Sequence, residues 1–228
     1  MLLVRDAETA PEAFIMKRRA GKAFGSRYVF PGGVLDGVDD RVHLQCSGIE
    51  SDKANRLLDV SSHALSYYSA AIRELFEETG LLFADHTLSL KDVATARDAL
   101  NNRQLAWDTF VTDNELTLQC GRLQYFSHLV TPPGYPKRFC ARFFLAKVAA
   151  DEHAEHDGNE LVDSVWMQAR DILDARKRKE MKVPWATRSA LSRIAKLDNT
   201  DDMVRWAHNC GEKGVVCNQK PHHPRDVM

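Results

Sequence analysis

The sequence predicts a single-domain α/β or α+β sandwich, and three observations carry that prediction. Strand-like apolar runs and helical periodicities are mixed along the whole length, 228 residues are ample for one buried core, and no repeat or low-complexity tract divides the chain. Hydrophobic residues make up 44% and charged residues 28%, and 31 Lys plus Arg against 32 Asp plus Glu leave a formal charge of -1. That balance excludes a strongly basic nucleic-acid coat and a polyacidic disordered tail. No apolar run approaches the length of a membrane span, and Met1-Leu2-Leu3-Val4 meets Arg5 and Asp6 before a signal-peptide core forms. A soluble, cytoplasmic protein without membrane or nucleic-acid partners is expected. The five cysteines, Cys46, Cys120, Cys140, Cys210 and Cys217, are odd in number and mostly far apart, which fits reduced thiols better than a disulfide framework.

Along the chain, Ala13-Phe14-Ile15-Met16 predicts a strand, and Tyr28-Val29-Phe30 a second that stops at Pro31-Gly32-Gly33. Residues 40 to 62 are polar with little periodicity and are expected to leave the sheet as an excursion. The pattern over Ala64 to Thr79 is helical, with Gly80 at the C-terminal cap position. A second helical stretch covers roughly 90 to 110. Strands follow at 123 to 130 and 139 to 148, separated by the turn-forming Thr131-Pro132-Pro133-Gly134-Tyr135-Pro136. A last strand at 162 to 167 precedes helices near 169 to 181 and 184 to 197, and the tail after about His208 carries no clear pattern.

The chemistry concentrates in the helix. Glu74, Glu77 and Glu78 stand at i, i+3 and i+4 on one face, while Tyr68, Ile72, Leu75, Phe76 and Thr79 fall on the other. Three acids near a helix C-terminus repel one another and the negative end of the helix dipole. Arg73 offsets part of this by pairing with Glu77 at i+4, but one guanidinium does not neutralise three carboxylates. A solvated acidic face is the bland alternative. The glycine loop Phe30-Pro31-Gly32-Gly33 favours a hard divalent cation, since Mg²⁺ and Mn²⁺ take carboxylate and backbone carbonyl oxygens where phosphates are handled.

These residues resemble the Nudix hydrolases, whose box reads G-x5-E-x7-R-E-U-x-E-E-x-G-U with U a bulky aliphatic. Arg73-Glu74-Leu75-Phe76-Glu77-Glu78-Thr79-Gly80-Leu81 matches every defined position of its second half. The first half departs: Gly33 fits the opening glycine, but Asp39 stands in place of Glu, and 34 positions separate it from Arg73 where the box has 8, an insertion of 26. The split box, with Thr131-Pro132 ahead of Arg138-Phe139 and Phe143-Phe144-Leu145-Ala146, is similar to the motif 19 type of the family and its bacterial relatives. The mammalian member of that branch is a peroxisomal coenzyme A diphosphatase. In the bacterial relatives the strand often reads R-F-D-T-R-F-F, whereas here it is Arg138-Phe139-Cys140-Ala141-Arg142-Phe143-Phe144.

The resemblance implies a Nudix fold, an α/β/α sandwich around a mixed sheet. The domain would span 1–207, with 40–64 inserted in the box, extra C-terminal helices and a tail over 208–228. It implies Mg²⁺ or Mn²⁺ held by the Gly32 carbonyl and by Glu74, Glu77 and Glu78, with Arg73 orienting a ligand carboxylate. Glu74 is the candidate base, and Glu160 the other. Gly33, Arg27 and Arg138 are expected at the substrate, with Arg18 and Arg19 as further phosphate contacts. The expected reaction is hydrolysis of coenzyme A or an acyl-coenzyme A to 3',5'-ADP and 4'-phosphopantetheine. ADP-ribose, dinucleotides or modified nucleotides are the alternative substrates, and a non-catalytic ligand-binding Nudix module is the alternative class. Trp107, Tyr125 and Phe126 are expected in the core rather than under a base. Cys140 reads as a small buried thiol, and His208, Cys210, Cys217, His222 and His223 do not follow a common zinc spacing. The C-terminal Arg225-Asp226-Val227-Met228 does not resemble a peroxisomal address.

Overall fold

The computed structural model describes residues 1–21, 25–134, 138–156, 158 and 160–215. Its first strands are β1 (Leu2–Arg5), β2 (Glu12–Arg18) and β3 (Tyr28–Val29). The insertion carries α1 (Gly37–Arg41) and α2 (Ser51–Leu58), and the acidic helix is α3 (Ala64–Thr79). Then come β4 (Ala84–Asp85), α4 (Leu90–Asn101), α5 (Trp107–Asp113) and β5 (Thr117–Leu118). The chain closes with β6 (Gln124–Val130), β7 (Cys140–Lys147), β8 (Leu161–Gln168), α6 (Ala169–Lys177), α7 (Trp185–Ile194) and α8 (Thr200–Glu212).

Six strands form one mixed sheet. β8 runs antiparallel along the whole of β2, so β1 and β3 share the other edge of β2 end to end. β1 then pairs in parallel with β7, Leu2 opposite Leu145, and β7 pairs antiparallel with β6. The strand period of two sorts the side chains. Leu3, Phe14, Met16, Phe144 and Ala146 join α3 in one core, while Leu2, Val4, Ala13, Ile15 and Leu145 join α6, α7 and α8 in the other. The result is the expected α/β/α sandwich. Tyr68 meets Phe144 at 4.7 Å between ring centroids, and Phe76 stacks on Phe110 at 5.7 Å.

The structure refines three expectations and adds a first strand that the sequence reading did not name. The 40 to 62 excursion is largely helical: Ala54 and Leu58, one turn apart, are fully buried and give α2 an apolar stripe that the surrounding polar residues conceal. The single helix over 90 to 110 is two, because the chain breaks at Asn102 and restarts at Ala106, with Arg103 at φ 58° between them. The tail after His208 begins inside α8, whose start is capped by the Asn199 side chain accepting from the Asp202 N–H at 2.8 Å. Strand β1 is short and buried on both faces, so its Leu2-Leu3-Val4 shows no alternation to read. Among the described residues no helix is long and apolar enough to cross a membrane. None of the cysteines described forms a disulfide.

Candidate active site

The acidic helix forms where its sequence pattern puts it. Its first free N–H, that of Ala64, donates to the Asn55 side chain of α2 at 3.0 Å, so the insertion supplies the cap. Gly80 ends it in the left-handed region at φ 79° with its N–H on the Phe76 carbonyl, a conformation a side chain would strain. Tyr68, Ile72, Leu75, Phe76 and Thr79 are all buried. Tyr67, Ala71, Glu74, Glu77 and Glu78 are the residues of α3 that remain partly exposed, and they make one stripe along it.

Arg73 lies beneath that stripe, buried, with every nitrogen engaged. Its Nε and Nη2 meet the two oxygens of Asp39 at 2.9 and 3.0 Å, Nη1 meets Glu74 at 2.9 Å and Glu77 at 3.3 Å, and Nη2 also donates to the Val34 carbonyl at 2.9 Å. Burial opposes its charge, but the Asp39 hydrogen bonds and Glu74 hold its pKa above the ordinary arginine value. Asp39 is fully buried. It also accepts the Asp36 N–H at 2.8 Å within the capping box that starts α1. The acid on the far side of the insertion is thus the anchor of the arginine.

The glycine loop closes over the carboxylates. The Gly32 N–H donates to Glu78 at 2.7 Å. A Cβ on Gly33 would fall inside the Glu74 carboxylate, so only glycine permits that approach. The Met1 amino nitrogen donates to the Pro31 carbonyl, and burial pushes its pKa down to about 6 against the pull of Glu78 and Glu74.

The acids are short of positive charge. Burial pushes Glu78 up to about 8, with Glu74 adding repulsion and the Gly32 N–H opposing. Burial pushes Glu77 up to about 7 against the pull of Arg73, and raises Glu74 likewise. Among the described residues no three His, Cys, Asp or Glu side chains converge as a ready-made cage. The donor set nevertheless suits a hard divalent cation: three partly desolvated carboxylates around one arginine are an arrangement that an added cation stabilises.

At the C-terminal end of α3, Arg97 Nε and Asn101 Nδ2 donate to the Glu77 carbonyl at 3.0 and 3.1 Å, and the Glu155 N–H donates to the Thr79 carbonyl at 3.0 Å. These contacts answer the helix dipole. Arg97 and Asn101 were not legible as site residues, since nothing in the α4 pattern says which turn faces Glu77. Glu160 accepts from Arg18, whose charge in turn favours ionisation of Glu78. That places Glu160 one ion pair away from the acids rather than on them. Arg138 donates through Nε to the Thr131 carbonyl at 3.0 Å, at the β6–β7 turn. Arg27 is exposed between β2 and β3, where its carbonyl accepts the Arg18 N–H. Both arginines thus stand on turns between strands, whereas Arg73 lies under the acids themselves.

Trp107, Tyr125 and Phe126 are buried in the two cores as expected. Cys140, expected as a buried thiol, is only half-buried, and His128 Nε2 lies 3.0 Å from its Sγ across the β6–β7 pair. His208 bonds Gln124 at 3.0 Å, and Cys217, His222, His223 and the C-terminal tetrapeptide lie outside the described residues.

No family model matches the chain. A Caenorhabditis elegans protein provisionally named nudix hydrolase 7 is 22% identical over 222 residues, covering 95% of this chain. The match takes in 66% of that protein, so the chain spans just under two thirds of its relative's length. The crystal structure of a NUDIX hydrolase from Alicyclobacillus acidocaldarius superposes with a TM-score of 0.70 at 25% identity, over 90% of this chain and 92% of that one. The fold is that of the Nudix hydrolases, and both similar proteins carry that family's name.

Proposed function

We propose that the chain is a Nudix pyrophosphohydrolase that uses the exposed stripe of α3 to cleave the diphosphate bond of a nucleoside diphosphate-linked substrate. Coenzyme A or an acyl-coenzyme A is the substrate class favoured by the split box with Thr131-Pro132 ahead of Arg138-Phe139 and Phe143-Phe144-Leu145-Ala146, with 3',5'-ADP and 4'-phosphopantetheine as products. One observation carries the reading: three partly desolvated carboxylates are gathered on one face, two of them with pKa values raised to about 7 and 8, around a single buried arginine. A purely structural helix has no use for such a face, which destabilises the fold until a cation binds.

Glu74, Glu77, Glu78 and the Gly32 carbonyl would hold Mg²⁺ or Mn²⁺. Bound there, the ion would neutralise the diphosphate and lower the pKa of the attacking water. The chain's own residues do the rest. Arg73, fixed by Asp39, holds Glu74 and Glu77 in place. Gly33, lacking a Cβ, leaves open the space that the Glu74 carboxylate occupies. Water oxygen attacks phosphorus, the anhydride P–O bond breaks, the water's proton goes to Glu74, and the leaving phosphate departs as an anion. Glu160, tied to Arg18, is the alternative acceptor of that proton. Arg27 and Arg138 would contact substrate phosphates from the two turns.

The test is incubation of purified protein with Mg²⁺ or Mn²⁺ and a panel of coenzyme A, acyl-coenzyme A, ADP-ribose, NADH and nucleoside triphosphates, with products read by mass spectrometry. The expected result is 3',5'-ADP from coenzyme A, absent in Glu78→Gln. Cleavage of another substrate alone would discard the coenzyme A assignment, and no cleavage of any would overturn the enzyme reading.

A further inference from the structure

Two thiols meet where the insertion folds back on the core. The residues after α1 lie alongside the segment after β5. Cys46 bridges Leu118 in parallel, the Ser47 N–H donates to the Leu118 carbonyl at 2.8 Å, and the Gly121 N–H donates to the Ser47 carbonyl at 3.0 Å. A Cβ on Gly121 would sit 2.7 Å from the Gly48 carbonyl oxygen, and one on Gly48 2.8 Å from the Gly121 Cα, so this approach needs glycine on both segments. Against these fixed backbones the side chains of Cys46 and Cys120 are hydrogen-bonded to each other. That bond, and burial after it, hold the Cys120 pKa above the ordinary cysteine value. Cys140, by contrast, meets an imidazole.

The pair is asymmetric. Cys120 is fully buried, whereas Cys46 is half-buried, with its Sγ donating to the Val42 carbonyl at 3.6 Å. Cys120 also stands in the wall of a cavity of about 160 Å³ that Lys53 of α2 and His208 of α8 help to line. Tyr68 shares that wall, and its buried hydroxyl has no hydrogen-bond partner among the described residues. A cavity of that size with polar lining has room for several water-sized molecules.

We infer that Cys46 and Cys120 form a reversible redox pair, in which a hydroperoxide oxidises Cys46 and Cys120 then closes a disulfide that ties the insertion to the core. The Cys46 sulfur attacks the peroxide O–O bond and keeps one oxygen as a sulfenic acid, and with hydrogen peroxide the other oxygen leaves as water. The Cys120 sulfur gives up its proton and displaces the sulfenic oxygen as a second water. Two thiols and one hydrogen peroxide thus yield one disulfide and two waters, and a dithiol reductant reverses the change. The loop so closed runs from 46 to 120 and contains α2, α3, α4 and α5, so the link restrains the unfolded chain strongly. It requires nothing of the carboxylate face and stands apart from the hydrolase reading.

The full chain is treated with hydrogen peroxide, denatured, alkylated and mapped by mass spectrometry beside Cys46→Ala, Cys120→Ala and Cys140→Ala. The wild type is expected to lose two of its five thiols into one peptide pair linking Cys46 to Cys120. Its Tm should rise by roughly 5–15 °C without reductant and return with dithiothreitol. Cys140→Ala should keep the link, and either partner's alanine variant should lose both the link and the rise. If Cys120→Ala fails to fold, the half-buried Cys46→Ala decides. A link through other cysteines, oxidation of Cys46 to sulfinic acid with Cys120 still free to alkylate, no loss of thiols, or an unmoved Tm would overturn the inference.

Discussion

Asp39 stands 34 positions from Arg73 and still meets it with both carboxylate oxygens in the buried floor of the site. Replacing it with alanine leaves the buried guanidinium without its main partner. We expect Asp39→Ala to cost about 3–5 kcal/mol in urea unfolding, the usual penalty for breaking a buried pair. It should also lower turnover by roughly 10–100-fold as Glu74 and Glu77 lose their brace. Gly33→Ala acts differently: the new methyl group collides with the Glu74 carboxylate, so turnover falls while the unfolding midpoint moves little. The glutamates and Arg73 were legible because their spacing is local and helical. The Asp39 contact was not, because it depends on the path of the insertion, and a residue standing where the family has Glu gives no sign that it turns inward.

Among the elements, α3 was read from end to end, since its apolar face, its acids and its Gly80 cap repeat at one period. α8 was missed although Asn199 and Asp202 mark its start, and although Met203 and Ala207 set an apolar stripe. What decides α8 is tertiary. It crosses the edge strand β6, and Gly211 lies so close that an added Cβ would sit 2.7 Å from the Tyr125 carbonyl oxygen. Gly211→Ala is therefore expected to destabilise the fold by about 1–3 kcal/mol. Chemical denaturation would show the loss, and Mn²⁺ affinity should be unchanged because the site lies on α3. The short strands β4 and β5 were beyond sequence reading for a similar reason: two residues each carry no period, and they exist because Ala84 and Leu118 meet across the chain.

At the scale of the whole molecule, stability and the site oppose each other. Glu77 and Glu78 titrate from an ordinary value of 4.5 to about 7 and 8 in the metal-free fold, with burial as the leading cause. The native state then binds more protons than the unfolded chain, so the stability these groups contribute is fully present below about pH 4.5 and is lost as pH climbs through 7 and 8. Their contribution to the Tm of the metal-free protein should fall across that window, and a saturating divalent cation should restore it. In Glu78→Gln the charge is gone while the amide oxygen can still accept the Gly32 N–H, so at pH 8 the metal-free variant should melt above the wild type. That gain would support a cation-binding role for Glu78.

The central claim, that the exposed face of α3 is a divalent-cation centre braced by Arg73, is tested most directly by a calorimetric titration of Mn²⁺ into the metal-free chain and into Glu74→Gln and Glu78→Gln. Saturable binding in the wild type, weakened at least tenfold in each variant, is the predicted result, as expected when a carboxylate ligand is lost. Absence of binding in the wild type, or equal affinity in all three proteins, would contradict it.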